Sequence, residues 1–101
     1  MIKVLVKKEE NIIKKIKMNG HANYADYGKD IVCAAASSIA ITTINAILEI
    51  DKDLIDYSVE KELTIVVKKD NEILNKLLNN MVNMLKDLEK DYQKNIIIKE
   101  E

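Results

Sequence analysis

Ile2-Lys3-Val4-Leu5-Val6-Lys7-Lys8-Glu9-Glu10-Asn11-Ile12-Ile13-Lys14-Lys15-Ile16-Lys17-Met18 opens the chain and sets its architecture. Ile2, Val4 and Val6 alternate with Lys3, Leu5 and Lys7, the period of two expected of a half-buried strand. Glu9-Glu10-Asn11 reads as a turn and Ile12 to Met18 as a second strand, so the chain begins with a hairpin. Residues 19–29 read as a loop. Asp30 suits the N-cap of a helix over about 31–49, which Asp51-Lys52-Asp53 breaks. Leu54–Val59 and Leu63–Lys68 form a second hairpin around Glu60-Lys61-Glu62. Asp70 or Asn71 then caps a long helix whose stripe is Leu74, Leu77, Leu78, Met81, Leu85, Leu88 and Tyr92, at spacings of three and four. Asn95–Lys99 reads as a last strand. The order ββαββαβ predicts an α+β fold, an antiparallel sheet with two helices packed on one face. Residues 1–101 form one domain, with no repeat, linker or low-complexity segment.

The composition narrows what such a domain can do. Apolar residues make up 48% of the 101, so the chain is globular. It holds no Phe and no Trp, so its core is built from Ile, Leu, Val, Met and Ala. The net charge is -1, there is no arginine, and no basic run stands out. Without guanidinium groups for bidentate phosphate or guanine contacts, the expectation is no direct nucleic-acid partner. One cysteine excludes an intrachain disulfide and fits a reducing, cytoplasmic setting. MIKVLVKKEE carries charge too early and too often for a signal peptide. Residues 31–48 carry no charge and approach a membrane span in length. Ser37, Ser38, Thr42, Thr43 and Asn45 interrupt them, which favours a buried helix of a soluble domain and no membrane partner.

The chemistry gathers in one window. The only His, the only Cys and both glycines fall within residues 20–33, GHANYADYGKDIVC; the other 87 residues contain none of them. Thiol and imidazole suffice for covalent acyl chemistry, with Cys33 as nucleophile and His21 as base. Twelve residues separate them, so a loop must bring them together. With Asp30 as cap, Cys33 would lie in the first helical turn, where unpaired amides and the helix dipole favour a thiolate. The plainer reading of Cys33 is a small buried hydrophobe beside Ala34, Ala35 and Ala36. His21 equally suits a surface position at a strand end, although it is the one side chain titrating near neutrality. Asp30 either only caps the helix or also orients His21, and Asp26 is a weaker orienting candidate. Ser37, one turn after Cys33, either hydrogen-bonds the sulfur or supports substrate, or else merely permits close packing. Gly20 and Gly28 serve as turn residues or as the ends of a gate over 22–29 that moves when a peptide docks. Tyr24 and Tyr27 either line a cleft or anchor that loop. No metal or cofactor is expected, since one His and one Cys make no recognisable zinc set and no P-loop or GxGxxG occurs.

The run Gly20-His21-Ala22, with YGxDIVCAAAS from Tyr27 to Ser37, closely resembles the ribosomal-processing cysteine protease family, densely over 20–37 and more loosely along the whole chain. The resemblance implies a catalytic pair at His21 and Cys33, with Gly20, Tyr27, Gly28, Asp30 and Ser37 supporting the site or the substrate. It implies a cysteine endopeptidase that removes a short N-terminal extension from a bacterial large-subunit ribosomal protein during ribosome assembly. It also implies a homodimer. That would cover a helix with apolar groups on several faces, among them Ile39, Ile41, Ile44, Ile47 and Leu48. The rival reading is a non-catalytic, ribosome-associated binding module, in which Cys33 is buried, unreactive and far from His21.

Overall fold

A computed structural model of the chain describes residues 1–20 and 27–101, the side chains of 27–30 excepted. The elements are β1 (Ile2–Glu9), β2 (Ile12–Asn19), α1 (Tyr27–Ile50), β3 (Ile55–Ser58), β4 (Leu63–Val67), α2 (Glu72–Asp91) and β5 (Ile96–Glu100). They follow the expected order ββαββαβ.

β1 and β2 are joined by a two-residue turn in which Glu10 and Asn11 both take positive φ, 51° and 68°. That is the geometry whose twist matches a hairpin, and asparagine tolerates it well. A bulge at Lys7/Lys8 lies close to the turn. The five strands lie in the order β3-β4-β2-β1-β5. Three of the pairings are antiparallel, as expected, but β5 runs parallel to β1, so the sheet is mixed. Topology demands this. Parallel strands cannot be joined by a tight turn and need a crossover, here a helix. α2 carries the chain from β4 past β2 and β1 to β5, and α1 carries it from β2 past β4 to β3. The two crossovers move in opposite directions from strands that point in opposite directions. Right-handed connections therefore put both helices on the same face, where α1 packs against α2.

The core lies between the helices and that face. Val4, Val6, Ile16, Met18, Leu63 and Ile65 point into it from the sheet, and Leu74, Leu78, Met81, Val82 and Leu85 meet them from α2. Leu77, Leu88 and Tyr92 of the predicted stripe flank it, partly buried. Between the two candidate caps of α2, the structure selects Asn71, whose side-chain oxygen accepts from the Leu74 amide at 2.9 Å. β5 is an edge strand, and the Glu89 carboxylate accepts from the Ile98 amide at 2.8 Å. This satisfies one of the donors an edge leaves open.

α1 departs from expectation at its start. It begins at Tyr27, so Asp30 is not its N-cap, and Tyr27, Gly28 and Lys29 belong to the helix and not to the loop. An acidic residue suits any position of a first turn, because the dipole and free amides act on the whole turn. Asp30 therefore marks the region of the boundary without locating it. α1 also remains more exposed than a buried helix. Val32, Ala36, Ala40, Ile44 and Ile47 are in the core. Ile39 and Leu48 are partly buried, while Ile31, Ile41 and Ile50 are 43–45% exposed. The apolar segment Ile31–Ile50 is long enough to cross a bilayer, with mean hydropathy 2.0, yet one of its faces supplies part of the domain core.

Candidate active site

β2 ends at Asn19 and the chain turns at Gly20, which has φ +85°. An added Cβ there would lie 2.5 Å from the Met1 carbonyl oxygen and 3.3 Å from the Ile2 Cα. Only glycine fits, for reasons of both conformation and space. Met1 cannot easily retreat. The Ile2 amide donates to the Asn95 carbonyl at 2.8 Å, and Lys3 is in register with Asn19.

This turn delivers a carbonyl to the thiol. Cys33 Sγ donates to the Gly20 carbonyl oxygen at 3.7 Å, across thirteen positions of sequence. Cys33 is half-buried on the border of α1, between the core residues Val32 and Ala36 and the exposed Ile31 and Ala34. The binding-module rival requires a buried thiol, and Cys33 is not one. Ser37 follows one turn later and is also half-buried.

The earlier start of α1 changes the electrostatic argument. Cys33 lies six residues beyond Tyr27, past the turn whose amides lack helical partners. The free amides of that helix end belong to the stretch around Tyr27–Asp30, and the Cys33 amide falls within the helical ladder. His21 lies outside the described residues, as do Tyr24, Asp26 and most of the expected gate. Tyr27, Gly28 and Asp30 are placed by backbone alone, in the first turn of α1. Among the described residues no group of three or more His, Cys, Asp or Glu is arranged to hold a metal ion. The role of Gly20 as acceptor for the thiol, and the contact that makes it glycine, escaped the sequence reading. The first joins residues thirteen positions apart and the second depends on Met1, nineteen positions away, and no local pattern signals either.

Fold and site define a class: a small α+β domain that sets one half-buried thiol where a strand end meets a crossover helix. More narrowly, the chain belongs to the cysteine protease Prp family, whose model matches residues 1–97. It is similar to the ribosomal processing cysteine protease Prp of Staphylococcus aureus (strain Mu50 / ATCC 700699), at 36% identity over 50 residues, 50% of this chain and 47% of that one. In that alignment the chain spans about half the length of the curated relatives it matches. Solved folds extend the likeness to the full length. The crystal structure of an essential ribosomal processing protease Prp from S. aureus with a substrate peptide superposes with TM-score 0.93 at 26% identity, covering 100% of both chains. The same protease with a covalently linked product peptide gives TM-score 0.88 at 28% identity, again covering 100% of both.

Proposed function

We propose that this protein is a cysteine endopeptidase that removes a short N-terminal extension from a bacterial large-subunit ribosomal protein during ribosome assembly. The observation that carries this reading is the 3.7 Å contact from Cys33 Sγ to the Gly20 carbonyl, which sets the thiol against the residue that directly precedes His21. In the proposed mechanism the His21 imidazole takes the proton from Cys33 Sγ, and the thiolate adds to the scissile carbonyl carbon. The C–N bond then breaks, the departing amine takes the proton back from the imidazolium, and the acyl group remains as a thioester on Cys33. Water, deprotonated by His21, hydrolyses the thioester to a carboxylate and the free thiol. Free amides of the first turn of α1 are candidates to hold the oxyanion.

A covalently linked product in the S. aureus relative supports an acyl-enzyme route. The working form in this reading is a two-fold homodimer in the cytoplasm, where a reducing milieu keeps Cys33 a thiol. A second copy would cover Ile31 and Ile41, which the chain itself leaves exposed. The test is incubation with a precursor peptide followed by mass spectrometry. Cleavage at one bond is expected, with loss of cleavage in Cys33→Ser and a fall of about 10²–10⁴-fold in His21→Ala. Undiminished cleavage by Cys33→Ser refutes the proposal.

A further inference from the structure

The sheet face turned away from the helices has its own character. Register places Lys3, Leu5 and Lys7 of β1, Lys15 and Lys17 of β2, and Ile97 and Lys99 of β5 on it. Lys3, Lys7 and Lys99 are exposed, and Lys15 and Lys17 half-exposed. Lys17 is paired with Glu62 at 3.6 Å. Lys3, Lys7, Lys15 and Lys99 have no ion pair among the described residues. Elsewhere on this face the β3–β4 half adds one acid, Asp56, paired with Lys68 at 3.7 Å. The hairpin β1–β2 holds six of the sixteen lysines against two glutamates, in a chain whose net charge is -1.

Two features concentrate this charge. Lys7 and Lys15 are direct cross-strand partners on the same face, an arrangement of like charges that opposes pairing and is relieved by an anion between them. Beside them a concavity of about 580 Å³ is lined by Lys7, Lys8, Lys14 and Lys15 together with Glu9, Glu101, Val66 and Val67, and Lys8 is paired with Glu100 at 3.5 Å. The basic rows continue along the strands toward Lys3, roughly 13 Å from Lys7 at the rise of an extended strand.

We propose that this lysine face docks the phosphate backbone of RNA. Lysine ammonium groups act as point charges suited to phosphate and carry no bidentate base readout. No aromatic side chain is in register with these lysines to stack a base, so the contact is independent of sequence. Anchoring to a membrane would need apolar side chains projecting among the lysines. The apolar residues in register with them, Leu5, Val66 and Ile97, are all half-buried, so none is a fully exposed anchor. The choice of RNA over an acidic protein rests on the ribosomal substrate proposed above, because a nascent subunit presents RNA beside that protein. The expectation of no nucleic-acid partner came from the absence of arginine, the net charge of -1 and the lack of a basic run. Alternation along β1 and β2 spaces these lysines out in sequence, and the sheet brings them together. Cys33 lies on α1, on the opposite side of the sheet, so docking leaves the thiol uncovered.

The test is fluorescence anisotropy of a labelled RNA oligonucleotide against salt, with cleavage of a free precursor peptide followed in parallel. Log affinity should fall with log salt by about 0.7 per phosphate neutralised. Lys7→Gln/Lys15→Gln should weaken binding about tenfold and lower that slope by about 1.4. Its Tm should be unchanged or higher, since a repulsion is removed. Lys76→Gln/Lys90→Gln, an equal change of charge on α2, should leave RNA affinity within about twofold. Peptide cleavage should persist in both variants. Equal weakening by the two pairs, or displacement of RNA by polyglutamate at equal charge concentration, overturns the proposal, as does absence of binding at low salt. Loss of cleavage by the parent with RNA binding intact would instead count against the protease reading alone.

Discussion

Gly20→Ala tests whether the contact at the end of β2 holds the site together. The substitution meets two costs. A β-carbon at φ +85° places an L-residue in the left-handed region, at about 1–2 kcal/mol. The same carbon would lie 2.5 Å from the Met1 carbonyl oxygen, so the start of β1 must shift. Overpacking of this kind costs about 1–3 kcal/mol. The bond from the Ile2 amide to the Asn95 carbonyl, at 2.8 Å, ties that strand to β5 and limits how cheaply it moves. The expected destabilisation is about 2–5 kcal/mol, a large part of the roughly 5–15 kcal/mol available to a domain. For a domain near 100 residues this lowers Tm by at least about 8 °C. Thermal and urea unfolding followed by circular dichroism would measure it. Activity should suffer separately. Well below the variant's own Tm, peptide cleavage should still be slower than in the parent, because the forced shift moves the residue-20 carbonyl that accepts from Cys33 Sγ. A Tm within about 2 °C of the parent would refute the reasoning about the close approach. A stable loss of about 2–5 kcal/mol with an unchanged cleavage rate in the folded protein would refute the positioning role.

Three further outcomes follow from the packing and the charges. Asn71→Ala should cost about 1 kcal/mol in urea unfolding, because it removes the acceptor for the Leu74 amide at the start of α2. Ile41→Lys on the exposed stripe of α1 should yield a stable monomer by light scattering, while the parent should be a dimer at micromolar concentration. The Glu100 carboxyl is held below its ordinary value of 4.5, first by its hydrogen bond from Lys86 and then by the charges of Lys86 and Lys8. A depressed carboxylate contributes stability above its unfolded pKa and loses it as pH falls through the folded value. Glu100→Gln should therefore flatten the acid side of the stability–pH curve below about 4.5 and matter little in strong acid. The effect should be small, as for most exposed ion pairs.

Much of this protein is written locally. Alternation in Ile2–Val6 and the three-and-four spacing from Leu74 to Tyr92 specify a strand and a helix wherever one face must be buried. Those elements appear within a residue or two of expectation. The family was equally legible, because the run from Gly20 to Ser37 is local and dense. The start of α1 was less legible, because several residues near it suit a first turn equally well. Four further features depend on tertiary structure. β5 runs parallel to β1 because a helical crossover returns the chain in the same direction. Gly20 must be glycine because Met1 packs against it. The Cys33 thiol finds its acceptor thirteen residues away. Lysines that alternate with apolar residues become one charged surface only when β1, β2 and β5 are laid in register. Periodicity is a property of neighbours in sequence and can be read directly. Pairing, approach and charge density are properties of neighbours in space, and only the assembled sheet sets them.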